Sequence, residues 1–240
     1  MISSLTIIRY RKRFIPFALL SMALFRIPLW LNKKICFWKL MGSGRNGTFD
    51  KTPDWQQWGI LVNVALEDTV PSIGDPEFHS KLYGRFIAGW FSYFGCETWT
   101  VLLLPIEGHG LWDGKKVFGE LPKYTDFEGR IAVLTRATIR LNRLTNFWRN
   151  VEGVASQMAG AKGFIGSLGI GEIPFIKQAT FSIWESKEDM KNFAYQMKSH
   201  TEVIRKTRSE KWYSEELFVR FTITGSAGTL KGIDPLIGKL

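Results

Sequence analysis

The spacing of apolar residues changes in the same order twice along the 240-residue chain. In each half, short segments rich in β-branched residues are separated by segments with helical spacing. The predicted order in each half is β-α-β-β-α-β, the ferredoxin-like arrangement. The second face of each sheet must also be buried, and two such sheets can pack against each other. We therefore predict an α+β protein with two tandem ferredoxin-like (βαββαβ) halves, residues 1–128 and 129–240, in an architecture of the dimeric α/β-barrel type.

The individual elements follow from local periodicity. In the first half we predict strands at 6–10, 35–41, 58–66 and 98–104, and helices at 12–31 and 78–94. In the second half we predict strands at 130–139, 164–168, 178–184 and 217–223, and helices at 141–158 and from Lys187 onward. Ser186 and Asp189 resemble a capping box at the start of that last helix. Residues 42–57 and 105–128 are longer than usual connectors, so we expect functional loops there.

The helix predicted at Lys12–Leu31 resembles a membrane span or a signal peptide at first sight. Pro16, Arg26 and Pro28 interrupt it, and its charge-free stretch of residues 14–25 is short for a span. We expect a buried or interface-lying helix of the first half. A helix that dips into a membrane is the alternative.

The formal net charge of +10 favours anionic partners. Basic residues are scattered among apolar ones, and no nucleic-acid-binding motif is present, so we expect no nucleic-acid partner. A membrane surface or an acidic redox protein is the preferred partner. Cys36 and Cys96 have no metal-binding spacing, and they suit a reducing cytoplasm. A soluble basic protein without such a partner is the plainer alternative.

His200 is the residue that best suits an iron ligand. It follows Phe193 by seven residues and Met197 by three, so helical spacing puts it on the flank of an apolar stripe. A neutral imidazole on an apolar inner face is what a haem iron takes as an axial ligand. A buried histidine held by a backbone carbonyl or a water is the commoner explanation of such a pattern.

Several cations and aromatic residues accompany His200. Arg205 and Arg208 could pair with haem propionates, with Trp212 nearby, although a solvated helix face is the commoner case. Arg136 and Arg140 share one face of a predicted strand. Arg136 could hold a propionate or pair with an internal acid, and the sequence does not separate the two.

Two other histidines are weaker candidates for an acid or base. His79 opens a predicted helix and His109 lies in a glycine-rich loop, so a cap and a loop residue are the default explanations. The stretch 42–48 has glycines like a phosphate-binding loop but lacks its Lys-Ser/Thr ending. No Ser-His-Asp order or zinc motif stands out.

Several sequence strings together resemble the spheroidene monooxygenase family. They are GSGRNGTF at 42–49, LWDG at 111–114, GRIAVLTRATIR at 129–140, QATFSIW at 178–184, FAY at 193–195, HTEVIR at 200–205 and WYSEELF at 212–218. The similar stretch runs in order from about residue 35 to residue 221, and its second half is the most specific part.

This resemblance implies a haem b protein that inserts oxygen at C-2 of acyclic carotenoids such as spheroidene. It implies two successive hydroxylations of one carbon, after which the geminal diol loses water to give a ketone. It also implies dioxygen and an electron donor such as reduced ferredoxin. His200 lies within the similar string and is carried over as the iron ligand; Arg136, Arg205, Arg208 and Trp212 are carried over as cofactor-binding residues.

Other functions remain open on the same sequence. One is a different haem enzyme on this scaffold, peroxidase-like or dehydratase-like, with a small substrate. Another is a haem or lipid carrier without turnover, and a third is a haem-free barrel in which His200 is structural. For an enzyme on carotenoids we expect a cytoplasmic protein, with a peripheral position on the inner membrane as the second expectation.

Overall fold

The computed structural model describes residues 1–45, 52–65, 71–196, 205–207 and 209–238, with the backbone alone at 151–157 and 195–196. The first half contains β1 Ile2–Arg9, α1 Ile15–Leu24, α2 Arg26–Leu31, β2 Ile35–Gly44, β3 Pro53–Val64, α3 Phe78–Tyr83, α4 Arg85–Tyr93 and β4 Glu97–Gly110. The second half contains β5 Ile131–Ile139, α5 Leu144–Met158, β6 Phe164–Ile173, β7 Lys177–Trp184, α6 Lys187–Gln196 and β8 Tyr213–Gly228. Each predicted strand and helix has a counterpart among the described residues, and the helix predicted from Lys187 onward is described to Gln196.

The strands hydrogen-bond in the order β1-β3-β2-β6-β7-β5-β8-β4, which closes a barrel. β1 is antiparallel to β3 and β4, and β5 is antiparallel to β7 and β8. The chain divides into two compact units. The first comprises Met1–Ser43, Asp54–Leu104 and Ile223–Leu240, and the second comprises Gly44–Pro53 and Pro105–Thr222.

The core of the first unit lies between its sheet and its helices. Ile8 of β1 packs there with Ala18 of α1, Leu29 of α2 and Ile87 of α4. Burial extends over the whole of β1 from Ser3 to Ile8, so both faces of this strand are covered.

In the second unit the two faces of β5 have different surroundings. Ile131 and Val133 pack with Met190 and Phe193 of α6. Side chains alternate along a strand, so Arg136 belongs to the opposite face. The strand pattern therefore places a fully buried guanidinium on the side of the sheet away from α6.

Two helices predicted as continuous are each divided. At Gly84 the backbone has φ +93° and ψ 159°, which ends α3 and begins α4. The helix Lys12–Leu31 divides between α1 and α2. Pro28 has no N–H to donate to the carbonyl of Leu24, which explains the position of that division.

The segment predicted as a long loop, 105–128, begins as strand. β4 continues through it to Gly110, and the Leu111 N–H donates to the Glu216 carbonyl at 3.0 Å. Gly110 has φ +93°, and a Cβ there would lie 2.1 Å from the Glu216 oxygen. Only glycine permits this close approach of the two backbones.

Candidate functional site

Arg136 is the centre of an ion-pair cluster in the second unit. Its guanidinium donates to Glu215, to Glu172 at 3.2 Å and to Asp113 at 3.3 Å. Lys177 Nζ donates to Asp113 at 2.7 Å. The Arg136 side chain is 1% exposed, so these carboxylates compensate the burial of its charge.

Backbone geometry at the start of a turn fixes Glu215 in this cluster. The N–H groups of Asp113 and Gly114 donate to its two carboxylate oxygens at 2.9 and 2.7 Å. Burial opposes ionisation of Glu215, but these donors and Arg136 together outweigh burial and lower the pKa of the carboxyl. Glu215 is therefore ionised in its pair with Arg136.

Trp112 covers the guanidinium from one side. The carbon of the Arg136 guanidinium lies 5.3 Å from the Trp112 ring centroid, and the indole N–H donates to Glu172 at 2.8 Å. Arg136 is predicted either to hold a haem propionate or to pair with an internal acid, and both roles involve a carboxylate. The contacts observed are those of the internal ion pair, and a propionate would have to displace one of three acids. Its role towards a cofactor stays a prediction.

Trp212 and Arg205 have different environments. Trp212 is 0% exposed, packs with Ile139, Phe147 and Trp148, and donates its indole N–H to Glu210 at 2.8 Å. Arg205 is exposed. Of the described residues predicted to bind haem, Arg205 is therefore the one open to a solvent-side propionate.

His200 and Arg208 lie outside the described residues, as does the stretch 46–51 of the glycine-rich segment. The roles of His200 as iron ligand and of Arg208 as propionate partner therefore stay predictions. The described members of the predicted haem set do not form a haem cradle by themselves. No reaction step is therefore assigned to them.

The two other histidines have defined contacts. His79 is half-buried, its Nε2 lies 3.1 Å from Thr100 Oγ1, and its ring stacks on Tyr83. Burial lowers the pKa of His79. His109 is exposed and stacks on the Phe218 ring, with centroids 5.6 Å apart. Within the described part of the chain, no group of three or more His, Cys, Asp or Glu side chains could hold a metal ion.

A second buried cluster, centred on Glu107, was missed from the sequence. Glu107 is 0% exposed and accepts from Arg220 and, at 2.6 Å, from Lys187. It also accepts from the backbone N–H and the hydroxyl of Thr125 at 2.8 and 2.9 Å. Glu107 falls in the segment predicted as a long loop, and its partners are 18 to 113 residues away along the chain, so no signal in the sequence indicated the cluster.

The Glu107 cluster fixes the start of α6. Lys187 is the first residue of that helix. Ser186 and Asp189 are hydrogen-bonded reciprocally beside it, the hydroxyl to the carboxylate at 2.7 Å and the Asp189 N–H to the hydroxyl at 3.0 Å. The predicted cap is confirmed. In sequence, α6 leads directly to the segment that contains His200.

Comparison with characterised proteins gives the family. A spheroidene monooxygenase of Rhodobacter capsulatus is 32% identical over 229 residues, which are 94% of this chain and 91% of the relative. The chain belongs to the spheroidene monooxygenase family. The family member of Cereibacter sphaeroides is 35% identical over 85% of this chain, and the chain spans 60% of that relative's length. No family model matches.

Solved structures agree on the fold. An aldoxime dehydratase crystallised with butyraldoxime superposes with a TM-score of 0.65 at 11% identity, covering 98% of this chain and 84% of that chain. A second aldoxime dehydratase superposes with a TM-score of 0.56 at 10% identity, over 92% and 80% of the two chains. The predicted α+β barrel-type architecture is confirmed, and at this identity the similarity concerns the fold alone.

Proposed function

We propose that this chain is a haem-dependent monooxygenase that introduces a keto group at C-2 of acyclic carotenoids. The observation that carries the proposal is the similarity to the Rhodobacter capsulatus spheroidene monooxygenase over 91% of that protein's length. The similarity extends over 94% of this chain, so it is not confined to one segment of the fold.

The proposed reaction oxidises one methylene group twice. Each hydroxylation replaces one C–H bond by C–OH and consumes one dioxygen, two electrons and two protons, and it releases one water. The geminal diol then loses a further water to leave the ketone. Electrons come from an external donor, for which reduced ferredoxin is our proposal. A chain with a net charge of +10 suits an acidic redox protein of this kind.

We propose haem b as the cofactor; His200 would bind its iron, and Arg205 and Arg208 would pair with its propionates. The haem would supply the activation of dioxygen. The chain supplies the position of the helix before His200: Glu107 holds Lys187 at the first residue of α6, and Met190 and Phe193 pack that helix on β5. The free Cys36 and Cys96 support a cytoplasmic location, where thiols stay reduced.

The test is conversion of spheroidene by the purified full chain, expressed with haem supply and given dioxygen and reduced ferredoxin. We expect the C-2 ketone, identified by mass and by its shifted absorption, and a Soret band in the protein. His200→Ala should lose the Soret band and the product. His109→Ala is the matched control for the Soret band, because His109 is exposed and stacks on a single ring.

Each part of the proposal has its own contrary result. A Soret band in His200→Ala would refute the ligand, and conversion by haem-free protein would refute the cofactor. A haem-loaded protein that leaves acyclic carotenoids unchanged would refute the substrate class. In that last case, turnover of a peroxide or a small oxime would favour the peroxidase-like or dehydratase-like alternative, and no turnover at all would favour a carrier.

A further inference from the structure

The helical segment Lys12–Leu31 is mostly exposed, and its charge-free stretch, residues 14–25, carries apolar side chains on all sides. It is 20 residues long, apolar enough to cross a membrane by length and composition, and only 22% of its most apolar window is buried. A helix that is apolar all round is normally enclosed by protein or by lipid. In this structure protein encloses one side only.

The inward side of this segment belongs to the core of the first unit. Ala18 and Ser21 of α1, Phe25 between the helices and Leu29 of α2 are all buried. These residues recur at intervals of three and four, so they form one stripe. A segment packed in this way cannot cross a bilayer without taking that stripe out of the core.

The outward side carries large apolar side chains, and α4 extends it. Phe17 contacts Phe94 at 4.8 Å between ring centroids, Tyr93 contacts Phe94 at 4.9 Å, and Phe25 contacts Phe86 at 6.4 Å. The aromatic residues thus join α4 to α1 and to Phe25, the residue between α1 and α2. We call the exposed members of this surface the apolar face: Phe17, Leu19, Leu20, Ile27, Trp30, Leu31, Phe86 and Tyr93.

The composition of the apolar face is that of a membrane interface. Its most exposed members are Tyr93 at 83% and Trp30 at 76%. Tyrosine and tryptophan are the residues enriched where hydrocarbon meets headgroups, because each has an apolar body and a polar tip. Several large exposed apolar side chains on neighbouring helices mark a site of interaction with a protein or a membrane.

Positive charge surrounds the apolar face. Residues 1–49 contain nine Lys and Arg and no Asp or Glu, and α4 contains no acid either. The exposed cations beside the face are Arg11, Lys12, Arg13, Arg26, Lys33, Lys34 and Arg85. Two copies of the chain meeting through this face would bring like charges together, whereas anionic lipid headgroups would neutralise them.

From this combination we infer that the apolar face docks on an anionic lipid bilayer, with α1, α2 and α4 lying in the plane of the interface. The cations contact headgroups while Trp30, Tyr93 and their apolar neighbours enter the headgroup–acyl boundary. Docking follows from the surface alone. That the bilayer also delivers the substrate rests on the proposed function, because acyclic carotenoids dissolve in hydrocarbon.

The test measures binding of the full chain, without carotenoid or haem, to vesicles of phosphatidylcholine with and without phosphatidylglycerol. We expect sedimentation with the anionic vesicles and little with the neutral ones. Ile27→Ser combined with Trp30→Ser should weaken binding at least about tenfold, from the apolar area lost. Ile233→Ser combined with Ile237→Ser is the matched control, because these exposed isoleucines lie on the C-terminal segment.

Charge is tested separately. Lys33→Gln with Lys34→Gln should weaken binding to anionic vesicles about twenty-fivefold at low salt, from about fivefold per charge. All six substituted positions are exposed, so each pair of substitutions should leave the unfolding temperature unchanged, and lost binding cannot come from lost folding.

Equal binding to both vesicle types, or equal loss in the control pair, would overturn the inference. So would a dimer in sedimentation velocity that dissociates in Ile27→Ser/Trp30→Ser while vesicles go unbound. Conversion of spheroidene in detergent tests the proposed function independently. Failure of one assay therefore leaves the other interpretable.

Discussion

Replacement of Glu107 by glutamine tests whether this buried carboxylate organises the second unit. Glu107→Gln preserves the shape of the side chain but leaves Arg220 and Lys187 without their shared anion. Both cations are largely buried, and burial already lowers the pKa of Arg220. Removing one partner of a buried ion pair costs about 3–5 kcal/mol, because the remaining charge is uncompensated.

The expected loss of stability is large enough to measure by thermal and denaturant unfolding. For a chain of this length we expect a fall in Tm of roughly 6–20 °C, at about 2–4 °C per kcal/mol. Glu120→Gln is the control, since Glu120 forms an exposed pair with Lys116 and should contribute under about 1 kcal/mol.

A double-mutant cycle attributes the loss to the ion pair. Lys187→Met and Glu107→Gln should be non-additive by about 1–3 kcal/mol, because each removes the partner of the other. A loss in Glu107→Gln of under about 1 kcal/mol, or strict additivity, would refute the reasoning. The cluster would then be incidental to the stability of α6.

Three further substitutions probe individual side chains. Burial holds the pKa of His79 below 6.5, so its contribution to stability is present above pH 6.5 and is lost as pH falls through the lowered pKa. Denaturant unfolding at pH 7.5 and 5.5 should therefore show a smaller loss of stability at the lower pH in His79→Gln than in the unsubstituted protein. Arg136→Met should destabilise by about 3 kcal/mol in urea unfolding, against under about 0.5 for the exposed Arg140→Met, and a loss of haem affinity beyond that of stability would support a propionate contact. With a thiol reagent, Cys36→Ser should abolish the fast phase, because burial raises the pKa of the Cys96 thiol to about 12; a fast phase that persists would contradict this.

The chain's local patterns determined the order of elements and the start of α6. Alternation of apolar and polar residues marks a strand, and apolar spacing of three to four marks a helix, within a few residues of chain. The Ser186–Asp189 cap likewise lies within four residues. The basic, apolar character of residues 1–49 is likewise a property of sequence alone. The family could be recognised for the same reason, since its strings are contiguous.

Which charges meet was decided only by the tertiary structure. Glu107 and Arg220 are 113 residues apart, and Arg136 and Glu215 are 79 apart. Their pairing depends on strand register, and a shift by one residue would turn each side chain to the other face of the sheet. Exposure of Trp30 was also undetermined, because an apolar helix has the same sequence pattern whether protein or lipid covers it.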